Sequence, residues 1–195
     1  MKWAQRALVA CAALLLGYCA FALVDAWSFQ RRESMDLDRL LRDRRAASEG
    51  APVAATNGLI GRMEISRLRL SAVVIEGVDN AALRRGVGHI PGTALPGEAG
   101  NVGLSGHRDT FFRPLKDLRI KDEIEFSTLK GDYRYEVESL RVVEPSDVGV
   151  LAPSHENVLT LVTCYPFFYI GAAPMRFIVR ARQVSPQTLA QSAVK

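Results

Sequence analysis

Arg6 and Asp25 are charged, and the 18 residues between them, Ala7–Val24, are not. As a helix this run spans about 27 Å, close to the hydrocarbon thickness of a bilayer. Trp3 and Trp27 flank it at the depth where interfacial aromatic belts sit. The apolar core of a cleaved signal peptide is shorter, about 7–15 residues. Residues 1–27 are therefore read as an uncleaved signal anchor, a single transmembrane helix. Lys2 and Arg6 precede the run, and six arginines between Arg31 and Arg45 follow it. Positive charge alone therefore does not orient the anchor.

Residues 28–57 change character. Ser28 to Arg45 scatters Phe29, Met35, Leu37, Leu40 and Leu41 among charges, the pattern of a polar juxtamembrane helix. Ala46 to Gly58 is small and polar, with no apolar period, and reads as a linker. From Leu59 the signals are β: short alternating or β-branched runs at 59–65, 68–76, 101–105, 123–128, 133–143, 158–163 and 175–184. Asp79 to Gly86 is one or two helical turns with Asp79 as N-cap and Gly86 as stop. Val87–Gly100 is rich in turn residues. No amphipathic helix of about 10–15 residues separates the strands, which argues against parallel βαβ units. A mostly all-β barrel or sandwich over 58–185 is expected, with a flexible tail at 186–195.

The chain has 195 residues, a formal net charge of +4 and three cysteines. Residues 58–195 hold 17 basic and 15 acidic side chains, too even a balance to point to nucleic acid. Cys11 and Cys19 fall in the apolar run, so Cys164 is the single thiol of the β region. A buried structural cysteine is the plain reading. Its position argues for more: Cys164 ends an apolar strand, precedes Pro166 and opens into the aromatic loop of Tyr165, Phe167, Phe168 and Tyr169. A nucleophilic thiol needs a partner that removes its proton or stabilises the thiolate, most often histidine. His107 follows the strand 101–105 in Ser105-Gly106-His107-Arg108, and His155 lies in a polar loop; both remain candidates. His89, in a turn, reads as structural. Arg176 opens the strand after the Cys164 loop and is placed to stabilise an oxyanion, or to form a solvated face with Arg180 and Arg182. Paired Cys/His spacing and calcium-loop patterns are absent, so no metal or cofactor is expected.

These residues resemble a known family. Thr160-Leu161-Val162-Thr163-Cys164 matches the TLxTC signature of the sortases. Ser105-Gly106-His107-Arg108 resembles the motif around their catalytic histidine, and Arg176-Phe177-Ile178-Val179 the strand of their essential arginine. Pro91 to Gly97, with Gly100-Asn101, is similar to the segment preceding that histidine. The likeness covers Leu59 to Val184. Cys164-Tyr165-Pro166-Phe167 and Ala173-Pro174-Met175-Arg176 look most like class D. No Asp-Pro dipeptide occurs, unlike the lid of the pilin-polymerising branch.

The resemblance implies an eight-stranded β-barrel transpeptidase outside the cytoplasmic membrane. Cys164 would be the nucleophile, His107 the general acid and base, and Arg176 the oxyanion or substrate-positioning group. Thr163 and Val162 would line the substrate groove. Substrates would be surface proteins with an LPXTG-like sorting signal. The acceptor would be an amine of a peptidoglycan stem or cross-bridge, or a pilin-type lysine. The rivals are a barrel that hydrolyses the same intermediate and an inactive barrel that binds cell-wall proteins. The Ser-x-Gly-Cys motif of L,D-transpeptidases is absent.

Overall fold

Leu59–Ile65 alternates buried and half-buried residues, as a strand with one face on a core must. Repeated around the chain, this pattern closes a barrel in the computed structural model, which describes residues 2–46, 58–169 and 171–187. The elements are α1 (Lys2–Ala46), β1 (Leu59–Ile65), β2 (Leu70–Glu76), α2 (Asn80–Arg85), β3 (Val87–His89), β4 (Asn101–Ser105), β5 (Glu123–Thr128), β6 (Asp132–Val143), β7 (Val158–Tyr165) and β8 (Met175–Gln187). The strand order around the barrel is β1-β2-β3-β4-β7-β8-β6-β5. The pairs β2–β3 and β4–β7 are parallel, and the others antiparallel. The expected all-β, eight-stranded barrel with short helices is the observed fold. Its interior is filled by Met63, Leu104, Phe112, Phe126, Tyr135 and Leu161, all essentially inaccessible.

Three local departures have simple causes. The turn-rich stretch after Gly86 contains β3, a three-residue strand too short to show alternation. Leu68 belongs to a 3-10 turn, Ser66–Leu68, and Arg69 takes a left-handed φ of 50° before β2 starts. β8 runs on to Gln187, past the boundary set for the tail. The rest of that tail, 188–195, and the linker segment 47–57 lie outside the described residues. The small helix follows expectation: the Asp79 carboxylate accepts from the amides of Ala81 at 2.7 Å and Ala82 at 2.9 Å.

The anchor and juxtamembrane segments form one unbroken helix, α1. No Pro or Gly interrupts residues 25–46, so the change from apolar to charged composition costs the backbone nothing. Within α1, Lys2–Phe21 is long and apolar enough to cross a membrane, and its side chains are exposed. The second half docks on the barrel. Leu37 and Leu41 join Leu59, Val73, Ile75 and Ala82 in a second hydrophobic cluster. The Gln30 amide accepts from the Val73 N–H at 3.1 Å and donates to the Arg85 carbonyl. Arg62 bonds Asp38 at 2.8 Å and the Ser34 carbonyl at 3.0 Å. Because α1 sits on β1 and β2, four and three strands from β7 around the barrel, it leaves the β7 wall free. Leu37→Ala is expected to weaken this docking by about 2–4 kcal/mol. Faster proteolysis and amide exchange in residues 28–42, with the barrel unaffected, would show it.

One ion pair ties the turn before β5 to the turn before β2. Arg67 donates through Nε to Asp122 at 2.6 Å, and the Arg119 amide adds a bond at 2.7 Å. The Arg67 hydrogen bond, chiefly, holds the Asp122 carboxyl below the usual carboxylate range. A lowered folded-state pKa contributes stability above the unfolded value, about 3.9, and that contribution is lost as pH falls through the folded value. Asp122→Asn is expected to be less stable at neutral pH and to lose less stability below about pH 4. Urea unfolding at a series of pH values measures both effects.

Candidate active site

β7 lies between β4, parallel to it, and β8, antiparallel to it. In the β7–β8 register Cys164 is directly opposite Arg176. Opposite residues of an antiparallel pair share a face, with Cβ atoms about 5 Å apart. Both side chains are half-buried. On the other side Ser105 is level with Val162. His107 follows two residues beyond Ser105, past the end of β4. The three predicted residues therefore lie at one end of three neighbouring strands.

The chain after β4 is tied down closely. The Gly106 amide donates to the Val162 carbonyl at 3.2 Å, and the Thr163 hydroxyl donates to the Gly106 carbonyl at 2.7 Å. The His107 carbonyl accepts from the amides of Thr110 at 3.3 Å and Phe112 at 3.1 Å. Gly106 is required by close approach: a Cβ there would lie 2.8 Å from the ring of Phe112, a fully buried residue. The sequence explains why this stretch is rigid, since the glycine admits the aromatic ring that seats the His107 turn.

The remaining candidates separate by position. Val162 is half-buried on the Cys164 face of β7. Thr163, by contrast, is 2% exposed and shares the strand parity of the interior residues Leu159 and Leu161. Its hydroxyl holds Gly106 instead of facing a groove. His155 precedes Val158 at the far end of β7, and about 20 Å of strand separates that end from Cys164. His89 is 3% exposed, with Nδ1 2.8 Å from Glu76 and Nε2 3.0 Å from both the Ala94 carbonyl and the Thr93 hydroxyl. It pins the turn-rich segment to the end of β2. Asp109 is largely exposed and lies 3.5 Å from Arg108. Arg180 pairs with Glu138 at 2.7 Å on the face of β8 it shares with Arg176, while Ile178 between them is buried.

The loop between β7 and β8 carries an aromatic group that sequence reading only partly resolved. Phe167 is buried and packs edge-on against Tyr165 and Phe177, at centroid distances of 6.0 and 5.2 Å. Phe168 and Tyr169 are exposed. The Arg176 guanidinium donates to the carbonyls of Ala173 at 3.2 Å and Met175 at 3.0 Å. Arg108, given no role by its sequence context, is 6% exposed and donates to three carbonyls of the same loop. A cavity of about 330 Å³ lined by Leu59, Ile60, Leu95, Pro96 and Leu129 contains none of the three site residues. Among the described residues, no group of three or more His, Cys, Asp or Glu side chains converges.

A thiol, an imidazole and a guanidinium carried near one end of neighbouring strands are group types that acyl transfer through a thioester uses. Residues 63–184 match the sortase domain, and the chain belongs to the sortase family. Within it, the class D resemblance is supported by Sortase D of Bacillus subtilis, 36% identical over 126 residues, which are 64% of each chain. Sortase SrtE1 of Streptomyces coelicolor is 34% identical over 141 residues, 63% of this chain and 39% of that protein. The match thus spans less than two thirds of the length of these curated relatives. Among solved structures, the Sortase D5 transpeptidase of Clostridium perfringens superimposes with a TM-score of 0.63 at 27% identity, covering 81% of this chain and 97% of that one.

Proposed function

We propose that this chain is a membrane-anchored cysteine transpeptidase. It would cleave an LPXTG-like sorting signal between Thr and Gly and pass the protein to an amine at the cell surface. The observation that carries this reading is the placement of Cys164 opposite Arg176 on β8, with β4, the strand that leads into His107, on the other flank of β7. In this reading residues 1–27 are the membrane anchor, 28–57 the juxtamembrane helix and linker, and 58–185 the catalytic barrel outside the cytoplasmic membrane. The exposed apolar face of Lys2–Phe21 supports the anchor, since such a surface is costly in water.

The Cys164 thiol passes its proton to His107 as its sulfur attacks the Thr carbonyl carbon. Arg176 swings from its loop carbonyls to the oxygen that gains charge. As the C–N bond breaks, His107 gives its proton to the leaving amine. The resulting thioester is attacked by an acceptor amine, whose lost proton passes through His107 to the departing sulfur, and the thiol is released. Val162, beside Cys164 on the same face, lines the groove for the donor peptide. Thr163 supports the site through Gly106 and the His107 turn.

The test is mass analysis of products from a library of sorting-signal peptides, with and without an added amine such as triglycine. An amine adduct at the Thr carbonyl supports transfer. Hydrolysis alone at high amine concentration would make the barrel a peptidase, and no cleavage of any peptide would remove the enzymatic reading.

A further inference from the structure

Arg108 follows His107 directly, and its side chain reaches the β7–β8 loop. Its side chain is buried, at 6% exposure, yet it is not held by a buried carboxylate. The nearest acid, Asp109, is mostly exposed, and its oxygen lies 3.5 Å from Arg108 Nε. The fork of the guanidinium is spent instead on backbone. Nη1 donates to the Pro166 carbonyl at 3.0 Å. Nη2 donates to the carbonyls of Tyr169 at 2.7 Å and Gly171 at 3.1 Å. The ring of Tyr169 lies over the same group, 5.8 Å from its centroid. Charge-assisted bonds of this kind are stronger than neutral ones. Among the described residues, 166–174 have no hydrogen bond between their own backbone groups outside β8. The loop is shaped around a cation supplied by another segment.

That segment is the one that carries His107, and the loop is the one that joins Cys164 to Arg176. We infer that Arg108 is a positioning residue: it fixes the β7–β8 loop, with exposed Phe168 and Tyr169, as the wall of the cleft that docks the donor peptide. The inference rests on the transpeptidase reading above. A lysine cannot replace the arginine here, because one ammonium group cannot reach three carbonyls in a fork geometry. Misplacement of a binding wall by about 1 Å can cost 10²-fold in rate.

The experiment compares the full chain with its Arg108→Ala and Arg108→Lys variants. Steady-state kinetics use a donor peptide cleaved by the wild type. Thermal unfolding and the alkylation rate of Cys164 by iodoacetamide are measured alongside. The expected result is a KM for donor peptide raised about tenfold or more in both variants. Saturating turnover and alkylation stay within about threefold of wild type, and the barrel remains folded. An unchanged KM overturns the inference. So does a wild-type KM restored by Arg108→Lys, which would leave only the charge as relevant. A variant that fails to fold, or whose whole loss follows its folded fraction, assigns Arg108 to stability alone and also overturns it. A loss found equally in alkylation places the effect on the thiol and does the same. If the wild type cleaves no peptide, it is the transpeptidase reading that fails.

Discussion

Cys164→Ala is expected to abolish turnover of a sorting-signal peptide, by about 10⁴-fold or more, while the barrel stays folded. Both parts follow from where the thiol sits. It is half-buried at the end of β7, outside the packed interior formed by residues such as Leu159 and Leu161. Removing one sulfur there leaves no cavity in the core, so the stability cost is small. The chemical cost is total, because the acyl group has no other thiol to join: Cys11 and Cys19 lie on α1. Peptide cleavage followed by chromatography, with circular dichroism on the same sample, reads both quantities.

His107→Ala is expected to lower kcat/KM by about 10²–10⁴-fold, the usual contribution of a positioned acid and base. His155→Ala is expected to leave kcat/KM within about twofold, because β7 separates it from Cys164 by about 20 Å. Residue chemistry alone admits both histidines, and the family motif selects His107. The pair of variants therefore tests the geometry specifically. The reverse pattern, with His155 essential and His107 dispensable, would refute the assignment.

The parts of this molecule that were legible in its sequence are those where side-chain pattern and structure share a period. β1, β4, β5 and most of β7 and β8 alternate or run apolar over enough residues to be recognised. β3 has only three residues, one of them glycine, and is a strand because Gly88 and His89 meet Ser105 and Leu104 across the sheet. That pairing is non-local and leaves no mark on the segment itself. The continuity of α1 was hidden for the opposite reason. Two compositions that suit different solvents share one backbone conformation.

The site shows the same division. Cys164, His107 and Arg176 announce themselves by chemistry and by motif. Arg108 does not, because its partners are the carbonyls of Pro166, Tyr169 and Gly171, which any residue would supply. The family resemblance implies a groove position for Thr163, beside Cys164. Adjacent strand residues point to opposite faces, and its hydroxyl instead secures Gly106.

The central claim is that Cys164 carries the acyl group between donor and acceptor. Intact-mass spectrometry of the full chain mixed with a donor peptide tests it directly. The account predicts an added mass equal to the peptide up to its Thr, located on Cys164, which disappears when an amine is added and reappears on the amine. The adduct is absent from Cys164→Ala. Donor consumption with no covalent enzyme species, or an adduct that survives the loss of Cys164, would contradict the account.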